Sequence, residues 1–242
     1  LCRCFGNGIT EKVLSSDVCQ DAVRLIHPKP AIIAALMRAI HNNQAINCHY
    51  VSLSSGESTK TGFPRGKNII AVASGKGGVG KTSSVCALGA SLANDFHQRV
   101  VLIDANFSAP NLALHVGVVD PEKTLHHMFN NKTKAESAIY ETEFGFHLLP
   151  GALMAKKVDP FLLKKYVEEV REDYDFVLLD SSPTLNEEML ATMIASDELF
   201  VVSTPDHVTL SATLRAVKLA KQKKTPITGI ILNKVYNKNF EL

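Results

Sequence analysis

Apolar and polar positions follow two different rhythms along residues 66–242. Short runs, such as residues 68–73 and 176–179, are apolar at nearly every position, which is typical of strands that are covered on both faces. Between these runs, apolar residues recur at helical spacing. Because an alternation of strands and helices builds a mostly parallel sheet, the pattern predicts a doubly wound α/β fold.

The same pattern predicts the order of the elements. The strands are predicted over residues 68–73, 100–103, 146–149, 176–179, 199–202 and 227–232. The helices are predicted over residues 81–94, 160–173, 186–195 and 208–221. Pro160 stands at the first position of its helix, where a missing backbone N–H costs nothing.

The first 65 residues form a separate part in this interpretation. The proline and glycine within residues 63–66 follow a polar stretch and interrupt the pattern, so we place a domain boundary there. Upstream, residues 31–40 have helical spacing, and residues 45–53 alternate as a strand does. We therefore predict a short appended α/β segment over residues 1–65 and a core domain over residues 66–242.

Composition and charge exclude several classes of protein. The chain has 242 residues, of which 45% are hydrophobic, and a formal net charge of +2. These are ordinary values for a globular protein, and the charge is no strong signal for nucleic acid. No apolar run approaches the roughly 20 residues that span a bilayer, and no secretory signal is visible. The five cysteines lack a regular spacing, which favours free thiols in a reducing, cytoplasmic setting.

The clearest chemical signal lies between the first core strand and its helix. Residues 75–82 read GKGGVGKT, which fits G-x-x-x-x-G-K-[ST]. Glycines let backbone N–H groups curve around a phosphate, Lys81 would reach the β- and γ-phosphate oxygens, and the Thr82 hydroxyl would ligate Mg²⁺. The predicted nucleotide-binding residues of the loop are Gly75, Lys76, Gly77, Gly78, Val79, Gly80, Lys81, Thr82 and Ser83.

Two acidic residues stand at the ends of apolar strands. An aspartate at the position of Asp104 can hold the Mg²⁺ shell through water and help to place an attacking water. Asp180 has no packing reason to be there and matches the Walker B position, so the predicted metal set is Thr82, Asp104 and Asp180. Ser181, Ser182 and Pro183 form the turn that follows, and from the residues alone Ser181 and Ser182 could cap the next helix.

These motifs together resemble the MinD/ParA family of P-loop ATPases, in its archaeal MinD-like branch. The resemblance covers residues 66–242 and includes KGGVGKT, LIDANFSAPNLALHVG, YDFVLLDSSP and GIILNKV. It implies an ATP- and Mg²⁺-dependent homodimer in which Lys76 reaches the other subunit's phosphates. The catalytic residues implied are Lys76, Lys81 and Asp104, and the turn of Ser181, Ser182 and Pro183 is implied to sense the γ-phosphate. From the residues alone, Lys76 could also be a merely exposed loop lysine.

The resemblance also implies which residues contact the base of the nucleotide and how fast ATP is hydrolysed. Asn233 matches the family's adenine-reading asparagine, and Pro205 and Asp206 lie where relatives contact base and ribose, although an asparagine after a strand is also a good turn residue. Many relatives carry a second aspartate where this chain has Asn106. An amide orients water but cannot take its proton, so hydrolysis is expected to be slow or to depend on Asp104 alone.

Both ends of the chain depart from the family. Residues 27–64, with INCHYVSLSSGE, resemble the start of a WYL domain, but one helix and one strand cannot close its barrel, which favours a merely appended segment. After Asn233 the sequence lacks the later elements of the family, so a C-terminally truncated core is expected. The amphipathic membrane-targeting helix of MinD proteins is absent from this sequence as well.

The sequence thus predicts an ATP-hydrolysing dimerisation switch that positions or activates an unidentified protein partner. One alternative is a metallocluster or metal-insertion ATPase, although Cys86 is the only cysteine of the predicted core. Another is a non-enzymatic regulator that nucleotide merely stabilises. The adjacent His126 and His127 are interpreted as a solvated pair on a helix.

Overall fold

A computed structural model describes residues 49–51, 68–130, 134–154 and 157–234 of the chain. The strands within these residues are β1 (His49–Val51), β2 (Asn68–Ala73), β3 (Val100–Ala105), β4 (Tyr140–Glu141), β5 (His147–Leu149), β6 (Phe176–Ser181), β7 (Glu198–Ser203) and β8 (Ile227–Leu232). These eight described strands form one sheet in the order β1-β8-β7-β2-β6-β3-β5-β4. Only β1 and β4 pair antiparallel, and they form the two edges.

Helices cover both faces of the sheet. They are α1 (Lys81–Asn94), α2 (Leu112–His115), α3 (Leu125–Phe129), α4 (Ala135–Ala138), α5 (Leu163–Val170), α6 (Glu187–Ala195) and α7 (His207–Gln222). Short 3₁₀ turns at Pro160–Leu162 and Arg171–Asp173 extend α5 at both ends. α1 packs on β2, β3 and β6, whereas α7 packs on β7 and β8.

The central strands are buried on both faces because each face carries its own apolar core. In β2, Ile69 and Ala71 pack into one core, and Ile70 and Val72 pack into the other. The first core takes its helical side chains from α3, α4, α5, α6 and α7, and the second takes them from α1 and α2. Continuous apolar runs in the sequence are the result of this double coverage.

The predicted α/β fold is confirmed, and β2, β8 and α1 have the predicted bounds. The strands β3 and β6 continue two residues further than the apolar pattern indicates, because Asp104 and Asp180 still pair with each other across the sheet. The short elements α2, α3, α4 and β4 are too brief to show a period in the sequence. The helix predicted over residues 31–40 lies outside the described residues.

One strand from the predicted N-terminal segment joins the core sheet. Residues His49–Val51 lie within the strand predicted over residues 45–53, and they pair antiparallel with β8, Tyr50 opposite Ile231. The division of the chain at residue 66 stays a prediction, but β1 lies upstream of it and covers the edge of β8. The other side of β8 pairs with β7.

The topology brings the ends of four neighbouring strands to one edge of the sheet. β7, β2, β6 and β3 are parallel, so their carboxyl ends all point the same way. The loop after β2 leads into α1 at this edge, next to Asp104 and Asp180. In open α/β sheets this edge is where ligands bind.

Within these described ranges, no helix is both long enough and apolar enough to cross a membrane.

The pairing of β1 with β8 predicts a loss of stability when the segment is removed. A variant that starts at Gly66 exposes the backbone edge of β8 and loses three cross-strand residue pairs. A backbone hydrogen bond contributes about 0.5–1.5 kcal/mol, so we expect the loss of this edge pairing to lower the Tm by about 2–8 °C in thermal unfolding followed by circular dichroism. A variant that starts at Ala45 keeps β1 and serves as control. Equal Tm values for the two variants would show that the edge pairing contributes nothing.

Candidate nucleotide-binding site

The loop between β2 and α1 has a glycine-dependent backbone. Gly78 and Gly80 adopt left-handed φ angles of 76° and 90°, and Gly80 is the residue that caps the start of α1. Side chains with a Cβ rarely adopt this conformation. The turn therefore brings the loop backbone back over the N-terminus of α1, where backbone N–H groups and the helix dipole favour an anion.

The start of the loop is held by close packing on α7. A Cβ at Gly75 would overlap the backbone carbonyl group of Ala212, in the middle of that helix. The backbone itself cannot yield to this overlap, so only glycine fits at position 75. The Ser74 hydroxyl, one residue earlier, donates a 3.0 Å hydrogen bond to the Lys76 carbonyl and tightens the turn.

Three predicted residues meet at the head of α1. The Lys81 Nζ lies 2.6 Å from Asp180 Oδ1, and the Thr82 hydroxyl donates to Asp180 Oδ2 at 2.7 Å. All three side chains are buried. One carboxylate thus balances the buried ammonium and accepts from the hydroxyl, which holds both groups at the mouth of the loop.

Asp104 lies beside Asp180 on the neighbouring strand and is held by backbone. Its Oδ1 accepts from the Asn106 N–H at 3.1 Å, and its Oδ2 accepts from the N–H groups of Asn111 and Leu112, both at 2.9 Å. Burial and the nearby charge of Asp180 nevertheless raise the pKa of Asp104 to about 7. The protonation of this carboxyl therefore changes near neutral pH.

The side chain of Asn106 has one satisfied and one unsatisfied end. Its Nδ2 donates to the Ala109 carbonyl at 2.5 Å, whereas its Oδ1 is buried and has no partner among the described residues. Asn106 is among the residues that line the cleft over the loop. A buried acceptor without a donor is costly, which favours a water or ligand at this point.

The end of β8 contacts the loop from the side. Asn233 donates through Nδ2 to the Val79 carbonyl at 2.7 Å, and the Lys234 ammonium donates to the Gly78 carbonyl at 2.7 Å. A Cβ at Gly80 would overlap the Asn233 Nδ2. The structure thus places the predicted base-contacting residue Asn233 directly on the loop backbone, and its contact with adenine stays a prediction.

The loop lies at the bottom of a cleft of about 670 Å³. Most predicted loop residues line it, from Lys76 to Ser83, together with Asn233. Pro205 and Asp206 line a smaller adjoining cavity of about 360 Å³, which shares Lys76 and residues 77–79 with the cleft. Nearly all predicted site residues therefore surround two connected spaces. Asp104 and Asp180 lie beneath, without exposed surface.

Asp206 has a structural duty in addition to its place at the cavity. Its carboxylate accepts from the Thr204 hydroxyl at 2.6 Å and from the Thr209 N–H at 2.9 Å, which caps α7. These hydrogen bonds lower its pKa to about 2. The carboxylate is therefore charged at every physiological pH.

Lys76 is exposed at the rim of both cavities. Among the residues that the structure describes, its ammonium has no hydrogen-bond or ion-pair partner, in contrast to the buried Lys81. The two lysines of the motif therefore differ in their surroundings, one facing solvent and the other held on Asp180.

The structure contradicts the alternative in which Ser181 or Ser182, in the turn after β6, caps the next helix. Asn186, and neither serine, caps α6 by accepting from the Met189 N–H at 3.0 Å. Ser182 instead accepts from Asn186 Nδ2 at 3.2 Å, and the Ser181 hydroxyl donates to the Ser182 carbonyl. The cap lies further along the chain because the turn Pro183–Leu185 separates the strand from the helix.

The interpretation of His126 and His127 as a solvated pair is wrong. His126 is only 3% exposed, and its Nδ1 accepts from the Ala152 N–H at 3.0 Å. Burial lowers its pKa. His127 accepts from the Thr124 N–H through Nδ1 and completes a capping box at the start of α3. Histidines in the first turn of such a short helix carry no periodic signal of burial.

Sequence reasoning missed other residues that line the cleft. They are Ser74, Ala109, Asn111, His115 and Lys234. The Asn111 Oδ1 lies 3.5 Å from the Thr82 hydroxyl, which places it at the predicted metal position. Lys234 directly follows Asn233 in the sequence LNK, and this position could have indicated that Lys234 also lies at the cleft. Asn111 comes from a loop whose path no local pattern indicates.

A resident metal cluster has no visible support in the described part of the chain. No group of three or more histidine, cysteine, aspartate or glutamate side chains is arranged there to hold a metal ion. Burial, with the charges of Asp180 and Asp104, raises the pKa of the Cys86 thiol to about 12. A thiol of this kind is protonated and unreactive.

Comparison with known proteins places the chain in a family. Residues 67–228 match the family described as AAA domain. An uncharacterized ATP-binding protein of Methanocaldococcus jannaschii is 35% identical over 170 residues, and the septum site-determining protein MinD of Thermotoga maritima is 30% identical over 157 residues. The matched part covers 69% and 63% of this chain, and 64% and 58% of those relatives. The chain thus spans less than two thirds of either relative.

A solved structure agrees with the sequence comparison. The septum site-determining protein MinD from Pyrococcus horikoshii OT3, complexed with Mg-ADP, is 32% identical and superposes with a TM-score of 0.64. The match covers 67% of this chain and 68% of that one. The chain therefore belongs to the AAA domain family and, within it, to the P-loop ATPases of the MinD/ParA type.

The glycines of the loop predict a graded series of alanine variants. Gly77→Ala should leave stability unchanged, because its φ is ordinary and its nearest neighbour is 3.8 Å away. Gly78→Ala has open space but a left-handed φ, so we expect a loss of about 1–2 kcal/mol. Gly80→Ala adds overlap with Asn233 to the same strain and should lose more. Urea unfolding measures the order, and equal losses at 78 and 80 would contradict the geometry.

The raised pKa of Asp104 predicts a pH dependence of stability. The folded carboxyl keeps its proton up to about pH 7, whereas the unfolded one releases it near 3.8, so the folded state binds more protons between these values. Its contribution to the free energy of unfolding therefore falls as pH rises through this window. Compared with Asp104→Asn, the unliganded protein should lose stability from pH 5 to 7 and level off at pH 8. A constant difference in urea unfolding would refute this.

Proposed function

We propose that this chain binds ATP with Mg²⁺ and hydrolyses it, and that ATP joins two copies of the chain into a dimer that hydrolysis separates. The dimer positions or activates a protein partner. The observation that carries the proposal is that Lys81 and Thr82 both contact Asp180 at the base of the glycine loop. Residues of other elements pack closely against this loop at Gly75 and Gly80.

The residues at the head of α1 fit a magnesium nucleotide. Thr82 Oγ1 and the Asp180 carboxylate are hard oxygen donors, which Mg²⁺ prefers, and they lie next to each other. Thr82 would hold the metal directly, while Asp180 and Asp104 would hold its waters. The metal would neutralise the charge that develops on the phosphates. The relative from Pyrococcus horikoshii, crystallised with Mg-ADP, supports this assignment.

The ion pair of Lys81 and Asp180 is suited to exchange. In the absence of a phosphate, the carboxylate neutralises the buried ammonium at 2.6 Å. A phosphate that enters the loop competes for Lys81, and the released carboxylate becomes available to the metal's water shell. The pair thus keeps both charges compensated with and without a ligand.

Hydrolysis in this site depends on placing a water. The oxygen of water attacks the γ-phosphorus in line, and the bond from that phosphorus to the bridging oxygen breaks. The Oδ1 of Asn106 is buried and has no partner among the described residues, so it can accept a hydrogen bond from that water. Because an amide cannot take the proton that this water loses, that proton passes to Asp104, and we expect slow turnover that depends on Asp104.

The exposure of Lys76 supports the dimer. Its ammonium lies at the rim of the cleft rather than on Asp180, so it is available to the phosphates of a second copy. A second cation on the transferred phosphoryl group acts as an arginine finger does. Leu153 and Met154, which are 56% and 99% exposed, follow β5 at the same edge of the sheet. Their apolar surface suits a second copy or a partner.

Light scattering with nucleotides tests the proposal. With ATP and Mg²⁺, we expect the molar mass to double from 26.4 kDa, and with ADP we expect a monomer. Lys76→Ala should still bind nucleotide but stay monomeric, with turnover reduced by a factor on the order of 10³. Lys81→Met should lose nucleotide binding, because it removes the cation inside the loop.

Lys218→Ala is the matched control, since Lys218 is an exposed lysine on α7 away from the cleft. It should dimerise and turn over as the original chain does. A chain that binds ATP but stays a monomer would contradict the switch mechanism and leave nucleotide binding intact. Absence of ATP binding in an isotherm would contradict the proposal as a whole.

A further inference from the structure

We propose that Lys234 is a positioning residue that, together with Asn233, holds the phosphate-binding loop in its working shape. This inference rests on the proposed nucleotide binding and adds a part of the site beyond the loop motif. Its observations are two hydrogen bonds from consecutive residues at the end of β8 to consecutive carbonyl groups of the loop. Lys234 contacts Gly78, and Asn233 contacts Val79, both at 2.7 Å.

The two contacts fix the orientation of two peptide planes. In a trans peptide, the carbonyl of one residue and the N–H of the next point in opposite directions. Holding the Gly78 carbonyl towards β8 therefore turns the Val79 N–H away from β8, and holding the Val79 carbonyl does the same for the Gly80 N–H. Backbone N–H groups oriented in this way are what a phosphate requires from such a loop.

Asn233 and Lys234, which together we call the brace, are themselves held in place by hydrogen bonds. The Asn233 N–H donates to the Ser203 carbonyl of β7 at 2.8 Å, and the Asn233 Oδ1 accepts from the Lys234 N–H at 2.8 Å. Asn233 is buried, and it occupies the space that a Cβ at Gly80 would need. The asparagine is therefore immobilised between the sheet and the loop.

The backbone of Lys234 is adapted to this contact. Its φ of 59° lies in the left-handed region, which residues other than glycine seldom adopt. Such a conformation persists where surrounding contacts hold it, and it tends to occur at functional sites. Here it directs the chain so that the lysine reaches the loop next to the Asn233 contact.

The charge of Lys234 gives the brace a second effect. The ammonium lies at both cavities that adjoin the loop, on the rim with Lys76. A cation near a bound phosphate raises its affinity, and a cation on a carbonyl makes the adjacent N–H a better donor. Loss of Lys234 should therefore weaken the retention of nucleotide more than it affects the chemical step.

The test uses the full chain with Lys234→Met, Lys234→Arg and the matched control Lys218→Met. Hydrogen–deuterium exchange of the nucleotide-free protein reports the loop directly, and we expect faster exchange across residues 77–82 in Lys234→Met alone. Dissociation of a fluorescent ADP analogue should become about threefold to tenfold faster in that variant, in keeping with the net contribution of one hydrogen bond from an exposed side chain. Lys234→Arg should restore most of both values.

The two readouts separate the possible failures. If the original chain retains no ADP analogue, the proposed function fails, while the exchange measurement still tests the brace. If Lys234→Met matches the original chain and Lys218→Met in both measurements, the brace is refuted. In steady-state turnover of Lys234→Met, the KM should rise, whereas kcat should stay within about twofold of the value for the original chain. A fall in kcat at unchanged KM would instead refute the positioning role.

Asn233→Asp provides a second variant, because an aspartate cannot donate to the Val79 carbonyl. We expect faster exchange across the loop in the nucleotide-free protein, where contact with a base plays no part. Thermal unfolding identifies any general loss of structure. Unchanged exchange in this folded variant would refute the contribution of Asn233 to the brace.

Discussion

The site depends on one constraint: two carboxyl groups, of Asp104 and Asp180, are buried side by side. A single buried ammonium, that of Lys81, lies next to them. Asp104 and Asp180 are opposite each other on β3 and β6, and neither has exposed surface. Charges in such a position must be compensated. The fold does so with Lys81 for one carboxyl and with three backbone N–H groups for the other.

This compensation links the site to the surrounding architecture. The N–H groups that hold Asp104 come from the loop that leads to α2 and from the first residue of that helix, so the path of the loop depends on the position of one carboxyl group. Lys81 and Thr82 open α1, so the helix is oriented by Asp180 at its first turn. The protein's own hydrogen bonds thus hold the site before a ligand arrives, and such preorganisation lowers the entropic cost of binding.

The phosphate-binding loop is shaped from outside as much as by its own glycines. Ala212 of α7 packs closely against Gly75 at the start of the loop. Asn233 and Lys234 donate hydrogen bonds to carbonyl groups in the middle of the loop. These residues come from elements far along the chain, and β8 is covered in turn by β1 from the N-terminal segment. Residues upstream of the predicted domain boundary thus pair with the strand that ends at the loop.

The sequence determined the fold class and the heart of the site, because both follow from local signals. Continuous apolar runs require a sheet covered on both faces, the glycine-rich motif predicted Lys81 and Thr82 by its spacing, and an acidic residue at the end of an apolar strand predicted Asp180. Only the tertiary structure decided the burial of His126, the cap at Asn186 and the role of Lys234 on the Gly78 carbonyl. These depend on residues that meet across strands and loops, and no period along the chain records such a meeting.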